Sequence, residues 1–211
     1  MAFLTIQTEN VEAIKPHLLT YEDYLALPET MQRCEIIDGE LIMEPAPLFG
    51  HQWRSKKVFQ PMDAYVDEHH LGLVVYAPVD VMISKDPLRT RQPDVLFISS
   101  ERLERYRLDD MEELPYLDIA PELVVELVSP SESQSKIKDK LADYQKIGVQ
   151  ECWLVRSTEG TIEVVWFTSN SSQTVERFGR GECVQSHVLL GWQPAVDELL
   201  IPLTSLQKRG A

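Results

Sequence analysis

Hydrophobic and polar positions alternate along this chain in patterns that predict both strands and helices. Short runs rich in valine, isoleucine and leucine, bounded by polar residues, are typical of strands. Five such runs occupy residues 73–83, 94–98, 123–128, 151–155 and 161–167. Apolar residues at helical spacing predict longer helices over 51–70, where Pro61 should kink or split the helix, and over 133–147. This order of elements predicts an α/β (α+β mixed-sheet) domain with a central mixed sheet flanked by helices.

Local signals predict where several of these elements begin and end. Thr20 with Asp23 three positions later predicts the start of a short helix, which Pro28 ends. Asp38-Gly39 lies between two apolar runs and predicts a hairpin, because a type I′ turn needs positive φ at both central residues. Gly148 is expected to end the helix over 133–147. The charged residues 101–113 predict a surface helix or excursion, and residues from Thr168 onward a peripheral hairpin and tail.

The composition is that of a globular protein in a reducing compartment. The chain has 211 residues, of which 44% are hydrophobic and 26% charged, and this length suits one domain with a substantial core. No apolar stretch is long enough to cross a membrane, and the first twelve residues lack the features of a secretion signal. Cys34, Cys152 and Cys183 are too few and too scattered for a disulfide framework or a zinc site. A cytoplasmic protein is therefore expected.

Two carboxylates interrupt the apolar strand runs. Asp94 opens one run after Pro93, and Glu126 lies inside Leu-Val-Val-Glu-Leu-Val. A carboxylate in such a run is costly to bury unless it is paired or binds a metal, and hard cations such as Mg²⁺ favour oxygen ligands. Either acid alone is better explained by a solvent-facing strand end or an arginine partner, but together they make a metal site an equal alternative. Asp80 is a lower-ranked third acid, either outward-facing or supporting the site.

Helical spacing over 133–147 points one lysine inward. The apolar stripe of this helix consists of Ile137, Leu141, Tyr144 and Ile147. At about 100° per residue, Lys140 lies on the side of this stripe, whereas Lys138 lies on the outer face. Lys140 follows Glu126 closely in the chain and is a candidate to orient a water or stabilise charge on a phosphate. The alternative is a lysine whose stem follows the helix out to solvent.

Other polar residues have simpler explanations. Glu40 ends a tight turn, where acids are usually solvated, and it would reach a site only if the hairpin folded over the cleft. His51 is expected to cap a helix or lie on the surface. The sequence has no Gly-rich phosphate loop, so nucleotide cofactors are not expected. The net charge of -14 disfavours nucleic-acid binding unless basic residues cluster or a metal supplies local positive charge.

Six features taken together resemble a known family. They are EIIDGEL at 35–41, His51, QPDV at 92–95, PELVVELVSPS at 121–131, KLADY at 140–144 and GVQECW at 148–153. In this order they resemble the Uma family of restriction-endonuclease-like proteins, abundant in cyanobacteria, which share the PD-(D/E)XK nuclease fold. The resemblance implies a single domain over 1–211, with a restriction-endonuclease-like core at about 18–167, a β-hairpin extension, and a peripheral C-terminal extension over 168–211.

The resemblance also implies a set of site residues. Asp94 matches the first acid of the family motif and Glu126 the second, and with the backbone carbonyl of Leu127 they are expected to ligate Mg²⁺ or Mn²⁺. Val128 stands where the motif lysine is expected, and Lys140 matches the place from which this family supplies that lysine. Glu40 matches a family glutamate that completes the site. One departure is Lys136, which stands where family members often carry an acid.

The working hypothesis is hydrolysis of a DNA phosphodiester by a metal-activated water. Asp94 and Glu126 hold the metal in this hypothesis, and Lys140 positions the nucleophile or neutralises the phosphate. A homodimer is expected, because cutting both strands of a duplex suits two-fold symmetry. One rival is a nuclease-fold binding or scaffold protein that does not cleave, and another is a metal hydrolase acting on something smaller than DNA.

Overall fold

The computed structural model describes residues 18–28, 32–106, 111, 113–168 and 173–205. Within these residues the helices are α1 (Tyr21–Leu25), α2 (Phe49–Glu68), α3 (Ser100–Leu103), α4 (Gln134–Ile147) and α5 (Val196–Leu199). The strands are β1 (Cys34–Ile37), β2 (Glu40–Met43), β3 (Gly72–Tyr76), β4 (Val81–Lys85), β5 (Leu88–Arg91), β6 (Val95–Ser99), β7 (Leu123–Leu127), β8 (Glu151–Arg156), β9 (Thr161–Phe167) and β10 (Gln173–Gly179).

Six strands form the central sheet, in the order β10-β9-β8-β7-β6-β3. The pair β7 and β8 is parallel, and the other neighbours are antiparallel. A parallel pair needs a long crossover connection, and α4 lies in the connection between β7 and β8. The hairpins β1–β2 and β4–β5 form two small sheets, which a hydrogen bond from Gly39 N–H to the Leu88 carbonyl joins at 2.8 Å. The predicted α/β class with a central mixed sheet is confirmed.

The central sheet is covered on both faces. Val58, Met62 and Val66 of α2 belong to the core on one face, and Ile137 and Leu141 of α4 to the core on the other. All five residues of β7 are therefore buried, which explains a continuous apolar run instead of alternation. Within the described part of the chain, no helix has both the length and the apolar character needed to cross a membrane.

The predicted caps and turns match the structure closely. The Thr20 side chain accepts from the Asp23 N–H, and the Asp23 carboxylate accepts from the Thr20 N–H, which completes a capping box at α1. Asp38 and Gly39 have φ of 51° and 84°, as the predicted hairpin turn requires. Gly148 follows α4 with φ of 91°. Pro61 lies inside α2 without splitting it, so that alternative is wrong.

The structure departs from the predicted strands in two places. Residues 73–83 form two strands, because the segment between Tyr76 and Val81 contains Pro78, which has no N–H for a strand ladder. Strand β5 was not expected, because its sequence Leu-Arg-Thr-Arg is polar, yet all four residues are buried. Of the charged stretch 101–113, the first residues belong to α3, and 107–110 and 112 lie outside the described residues.

The C-terminal segment packs into the core instead of lying at its periphery. Strand β10 pairs with β9, which precedes the segment that was predicted to form a hairpin from Thr168 onward. Beyond β10, buried apolar side chains complete the core on the α2 face: Val184, Leu189, Trp192, Val196 and Leu199. The Trp192 ring stacks on Trp153 of β8 with 5.3 Å between ring centroids. The sequence did not predict this packing, because the apolar residues are widely spaced in a polar segment. The single domain over 1–211 stays a prediction, because residues 1–17 and 206–211 lie outside the described part.

Buried ion pairs explain why the polar strand β5 lies in the interior. Arg91 donates to Glu35 of β1 at 2.9 Å and to Asp143 of α4 at 2.7 Å, and it also pairs with Asp139. Arg89 donates to Asp143 at 2.7 Å and to Asp139 at 2.5 Å. Each guanidinium thus offers several donors to fixed carboxylates, which is the arrangement in which a buried charge is tolerated. The network attaches both small hairpins to α4.

We expect Arg91→Met to lower the free energy of unfolding by about 3–5 kcal/mol, because Glu35 would stay buried without its cation. Urea denaturation followed by far-ultraviolet circular dichroism measures this change. Arg177→Met is the control, because Arg177 is exposed and its pair with Glu159 at 2.7 Å should contribute less than about 1 kcal/mol. Equal losses in the two variants would contradict the structural role of the network.

Candidate active site

Asp94 and Glu126 lie at adjacent positions on neighbouring strands. Val95 of β6 pairs with Val125 of β7, and the Asp94 N–H donates to the Val125 carbonyl at 3.0 Å. The next position of this antiparallel register sets Asp94 beside Glu126, on one face of the sheet because side chains alternate along both strands. Both residues are only 4% exposed. The fold therefore buries two neighbouring carboxylates in an apolar sheet.

Both oxygens of Asp94 receive donors from the protein. Oδ1 accepts from Arg33 Nη1 at 2.5 Å and lies 3.5 Å from His51 Nε2. Oδ2 accepts from the backbone N–H of Leu127 at 2.7 Å. Although burial alone would raise it, the pKa of Asp94 is lowered by hydrogen bonding to His51 and by the guanidinium of Arg33. Asp94 is thus held in its ionised form.

Glu126 is bound by two side chains of α4. Lys140 Nζ donates to Oε2 at 2.7 Å, and the Tyr144 hydroxyl donates to Oε1. Burial raises the pKa of Glu126, and Asp94 adds to this rise, whereas the Lys140 ammonium opposes it. Burial alone would lower the pKa of Lys140, but the carboxylates of Glu126 and Glu35 raise it. Lys140 is 7% exposed and points into the site, so the solvent-directed alternative is wrong.

Several predicted site residues lie elsewhere or make different contacts. Glu40 is exposed on β2, and no described contact joins it to Asp94 or Glu126. The β1–β2 hairpin places Glu35 near the site instead. Glu35 is buried, and its charge raises the pKa of Glu126 and of Lys140. Leu127 contacts Asp94 through its N–H, and a role for its carbonyl stays a prediction.

Asp80 supports the site indirectly, through Gln92. Its carboxylate accepts from the Tyr24 hydroxyl at 2.8 Å and from Gln92 Nε2 at 2.9 Å. The backbone carbonyl of Gln92 in turn accepts from Arg33 Nη2 at 2.5 Å. Asp80 therefore fixes Gln92, which helps to fix the arginine bound to Asp94.

Sequence reasoning missed three residues that contact the two acids. Arg33 precedes β1 and is separated from Asp94 by 61 positions, so no local pattern connects them. Tyr144 was assigned to the core alone, whereas it is buried and also bonded to Glu126. His51 was expected at a cap or on the surface, but α2 places it beside Asp94. The predicted hairpin gave a signal for Arg33. Glu40 could reach the site only if this hairpin folded over the cleft, and the same folding brings Arg33 close to the site.

An open cleft borders the pair on the side of Asp94. Its volume is about 540 Å³, and its lining includes Arg33, His51, Tyr76 and Asp94. On the opposite side, the gap among Glu126, Lys140 and Tyr144 is too narrow to admit a water molecule. The cleft therefore gives access to Asp94, whereas Glu126 lies behind it and does not line the cleft.

The donor set fits a hard divalent cation. Asp94 and Glu126 offer carboxylate oxygens, and Mg²⁺ is commonly held by one or two carboxylates together with water and substrate phosphate. In the described part of the chain, no group of three or more histidine, cysteine, aspartate or glutamate residues is arranged to hold a metal. Because Arg33 already donates to Asp94 Oδ1, a cation bound to that oxygen would share it with the guanidinium or displace it. The oxygen chemistry suits Mg²⁺ or Mn²⁺ better than zinc.

Comparison with known proteins connects this arrangement to a family. The sequence profile of the Uma2 family, described as "Putative restriction endonuclease", matches residues 21–202. Among solved structures, the chain is similar to a "putative nuclease belonging to DUF820" from Anabaena variabilis ATCC 29413, with a TM-score of 0.72 and 22% sequence identity. The match covers 86% of this chain and 97% of the other. The curated proteins compared with the chain gave no match.

We expect Lys140→Met to make stability more dependent on pH. Without the ammonium, the pKa of buried Glu126 should rise further above its ordinary value of 4.5. A folded state with a raised acid pKa binds an extra proton, so the free energy of unfolding falls as pH rises from about 4.5 through the folded pKa. Urea denaturation between pH 5 and pH 8 should therefore show a steeper loss in the variant than in the wild type.

Lys138→Met is the matched control for this measurement. Lys138 is exposed on the outer face of the same helix, so its loss should leave the pH dependence unchanged. A Lys140→Met profile parallel to that of the wild type would contradict the ion pair with Glu126.

Proposed function

Since the chain belongs to the Uma2 family, we propose that it is a metal-dependent endonuclease that hydrolyses DNA phosphodiester bonds at Asp94 and Glu126. The observation that carries this proposal is the pair of buried carboxylates on adjacent strands, with Lys140 bonded to one and an open cleft beside the other. Two adjacent buried carboxylates are costly even when each has a cationic partner, and such pairs are expected where a site uses their charge. The family's description as a restriction endonuclease supports the same activity.

Asp94 and Glu126 are the proposed ligands of Mg²⁺ or Mn²⁺, together with the Leu127 carbonyl. Such a cation supplies a Lewis acid for the phosphoryl oxygens and lowers the pKa of a coordinated water. Asp94 contributes an ionised carboxylate, because hydrogen bonding to His51 and the charge of Arg33 keep its pKa low despite burial. Glu126 contributes a carboxylate whose orientation is set by Lys140 and Tyr144.

The remaining side chains of the site have distinct proposed roles. Lys140 keeps a positive charge beside Glu126, where it positions the attacking water or neutralises the phosphate. Tyr144 holds the other oxygen of Glu126 and restricts its rotation. Arg33 lies beside Asp94, and in this proposal its guanidinium binds the scissile phosphate once the guanidinium has left Asp94. Glu40 has no place in this proposal, because it is exposed and makes no described contact with the pair.

The second candidate function is a nuclease-fold protein that binds a partner without cleaving it. One observation favours it: every oxygen of Asp94 and Glu126 already accepts a hydrogen bond from the protein. The net charge of -14 also weakens attraction to a nucleic acid. The two functions differ in whether a cation displaces Arg33 from Asp94.

The proposed assembly and location follow from the activity. A homodimer would place two sites on the two strands of a duplex, related by two-fold symmetry. The cysteines Cys34, Cys152 and Cys183 are free, which suits the reducing cytoplasm. Light scattering on the purified protein measures the mass and so tests the dimer.

We expect the wild type to nick supercoiled plasmid in Mg²⁺ or Mn²⁺, and Asp94→Asn and Glu126→Gln to lose about 100-fold or more of the rate. Lys140→Met should lose a comparable amount, because it removes the charge beside Glu126. Lys138→Met keeps the helix but alters only an exposed position, so its rate should equal that of the wild type. Equal nicking by all of these proteins would identify a contaminant and reject the enzyme.

Thermal unfolding tests cation binding without any substrate. At a Mn²⁺ concentration about 100 times the Kd, the Tm of the wild type should rise by roughly 5–10 °C. Asp94→Asn should abolish the rise, because it replaces an ionised ligand with a neutral amide. No rise in the wild type would favour the binding protein over the nuclease.

A further inference from the structure

The cleft beside Asp94 has a lining that the two acids do not explain. Its volume is about 540 Å³, and one wall is formed by the first turns of α2. The lining combines the phenol ring of Tyr76, two basic side chains and neutral polar groups, including Arg33, His51, Gln52 and Ser55. Pockets for small ligands typically measure about 300–1,000 Å³ and carry a few convergent polar groups. The cleft thus has the size and chemistry of a ligand pocket.

Tyr76 presents an aromatic platform at the mouth of this cleft. It ends β3, the outermost strand of the central sheet, and it is 60% exposed. The ring nevertheless has a defined position, because Phe59 of α2 packs against it edge-to-face with 4.9 Å between centroids. An exposed ring that is held in place offers a free face on which a nucleic-acid base can stack.

Two residues of the cleft lining carry nitrogen atoms that lack partners among the described residues. Arg33 Nε and His51 Nδ1 are buried and have no hydrogen-bond partner among the described residues. A Glu44 carboxylate oxygen lies 3.9 Å from Arg33 Nε, which is beyond hydrogen-bond distance. Buried polar atoms of this kind normally have partners, and a phosphate oxygen accepts hydrogen bonds from guanidinium and imidazole groups. These atoms point to a phosphate group close to Asp94.

We propose that the cleft holds one unpaired nucleotide of the substrate strand, with its base on Tyr76 and its phosphate at Arg33 and His51. This rests on the proposed nuclease function, because it places the adjoining phosphodiester beside Asp94. A cleft of this volume admits a single nucleotide, whereas a double helix is far larger, its major groove alone being about 12 Å wide. A duplex therefore binds with one nucleotide turned out of the stack, or at a single-stranded position.

The charge of the chain agrees with this mode of binding. Proteins that follow the backbone of a duplex neutralise many phosphates with lysine and arginine. This chain has 20 such residues against 34 acids. Stacking of a base on Tyr76 supplies affinity that does not depend on a basic surface. Specific recognition of an unpaired nucleotide is thus available to an acidic protein.

Fluorescence anisotropy with three labelled DNA hairpins tests the proposal, each closed by a non-nucleotide linker so that the loop carries no unpaired base, and in EDTA so that no cleavage occurs. One stem is fully paired, one carries a single unpaired thymidine, and one carries an abasic site in place of that thymidine. The wild type should bind the second hairpin more tightly than the other two by roughly 5- to 150-fold, the range that stacking one base on an aromatic ring provides. Equal affinity for the three hairpins overturns the proposal.

Two variants assign the preference to the ring. Tyr76→Ala should bind the three hairpins equally, and Tyr76→Phe, which keeps the ring, should retain the preference of the wild type. Thermal unfolding verifies that both variants are folded, as expected for a residue that is 60% exposed. An undiminished preference in folded Tyr76→Ala overturns the proposal.

Nicking assays separate this proposal from the nuclease function on which it rests. A wild type that nicks plasmid but binds the three hairpins equally overturns the nucleotide pocket alone. A wild type that prefers the unpaired thymidine through Tyr76 but never nicks supports the pocket and overturns the nuclease function. The anisotropy measurement needs no metal and no cleavage, so neither failure hides the other.

Discussion

The burial of the Glu126 carboxylate is the constraint around which the rest of this structure is arranged. It lies in the middle of β7, a strand buried on both faces, where an isolated charge would be very unfavourable. Helix α4 must therefore approach the sheet with Lys140 and Tyr144 directed at Glu126. The neighbouring Asp94 adds a second negative charge, and Arg33 compensates it from the hairpin side. Packing and charge compensation thus select the same positions for α4 and for the β1–β2 hairpin.

A second group of ion pairs keeps these compensating residues in place. Arg89 and Arg91 join β5 to Asp139 and Asp143 of α4, on either side of Lys140 in sequence. Since Arg91 also holds Glu35 of β1, the hairpin that carries Arg33 is attached to the helix that carries Lys140. The arginines of β5 do not line the cleft beside Asp94, yet they hold in place the elements that carry the partners of both acids. The site is therefore built on a charged framework as well as on an apolar core.

The sequence alone predicted those parts of the site that depend on local periodicity. Strand runs identified Asp94 and Glu126, and helical spacing turned Lys140 inward, because each inference needs only a few consecutive residues. The sequence did not predict the positions of Arg33, Glu35 and β5, because these depend on how distant segments pack. The polar sequence of β5 does not look like a buried strand, since its charges are paired inside the protein. Glu40 was named as a match to a family glutamate, and Glu35 was not considered as a site residue. The strand pairings within the hairpin were predictable, but the acid that it directs toward Glu126 was not.

The positive charges that stabilise the two acids also constrain how the proposed site works. Arg33 donates to an oxygen of Asp94 that a cation would use, so under the proposed function the charge of a bound cation repels this guanidinium and weakens its contact with Asp94 beside the cleft. Once released, this guanidinium lies where a substrate phosphate would enter, and such a group prefers an anionic partner to none. Under the proposed function, the cation and the phosphate therefore favour each other's binding. The cation takes the place of Arg33 at Asp94, and the phosphate gives the freed guanidinium a new anionic partner. The lysine at Glu126 differs, because Lys140 is enclosed by side chains and has no open space to move into. Under the proposed function, the Arg33 side chain is thus an exchangeable partner of Asp94, whereas Lys140 is a permanent partner of Glu126. This gives the two acids unequal roles despite their adjacent positions.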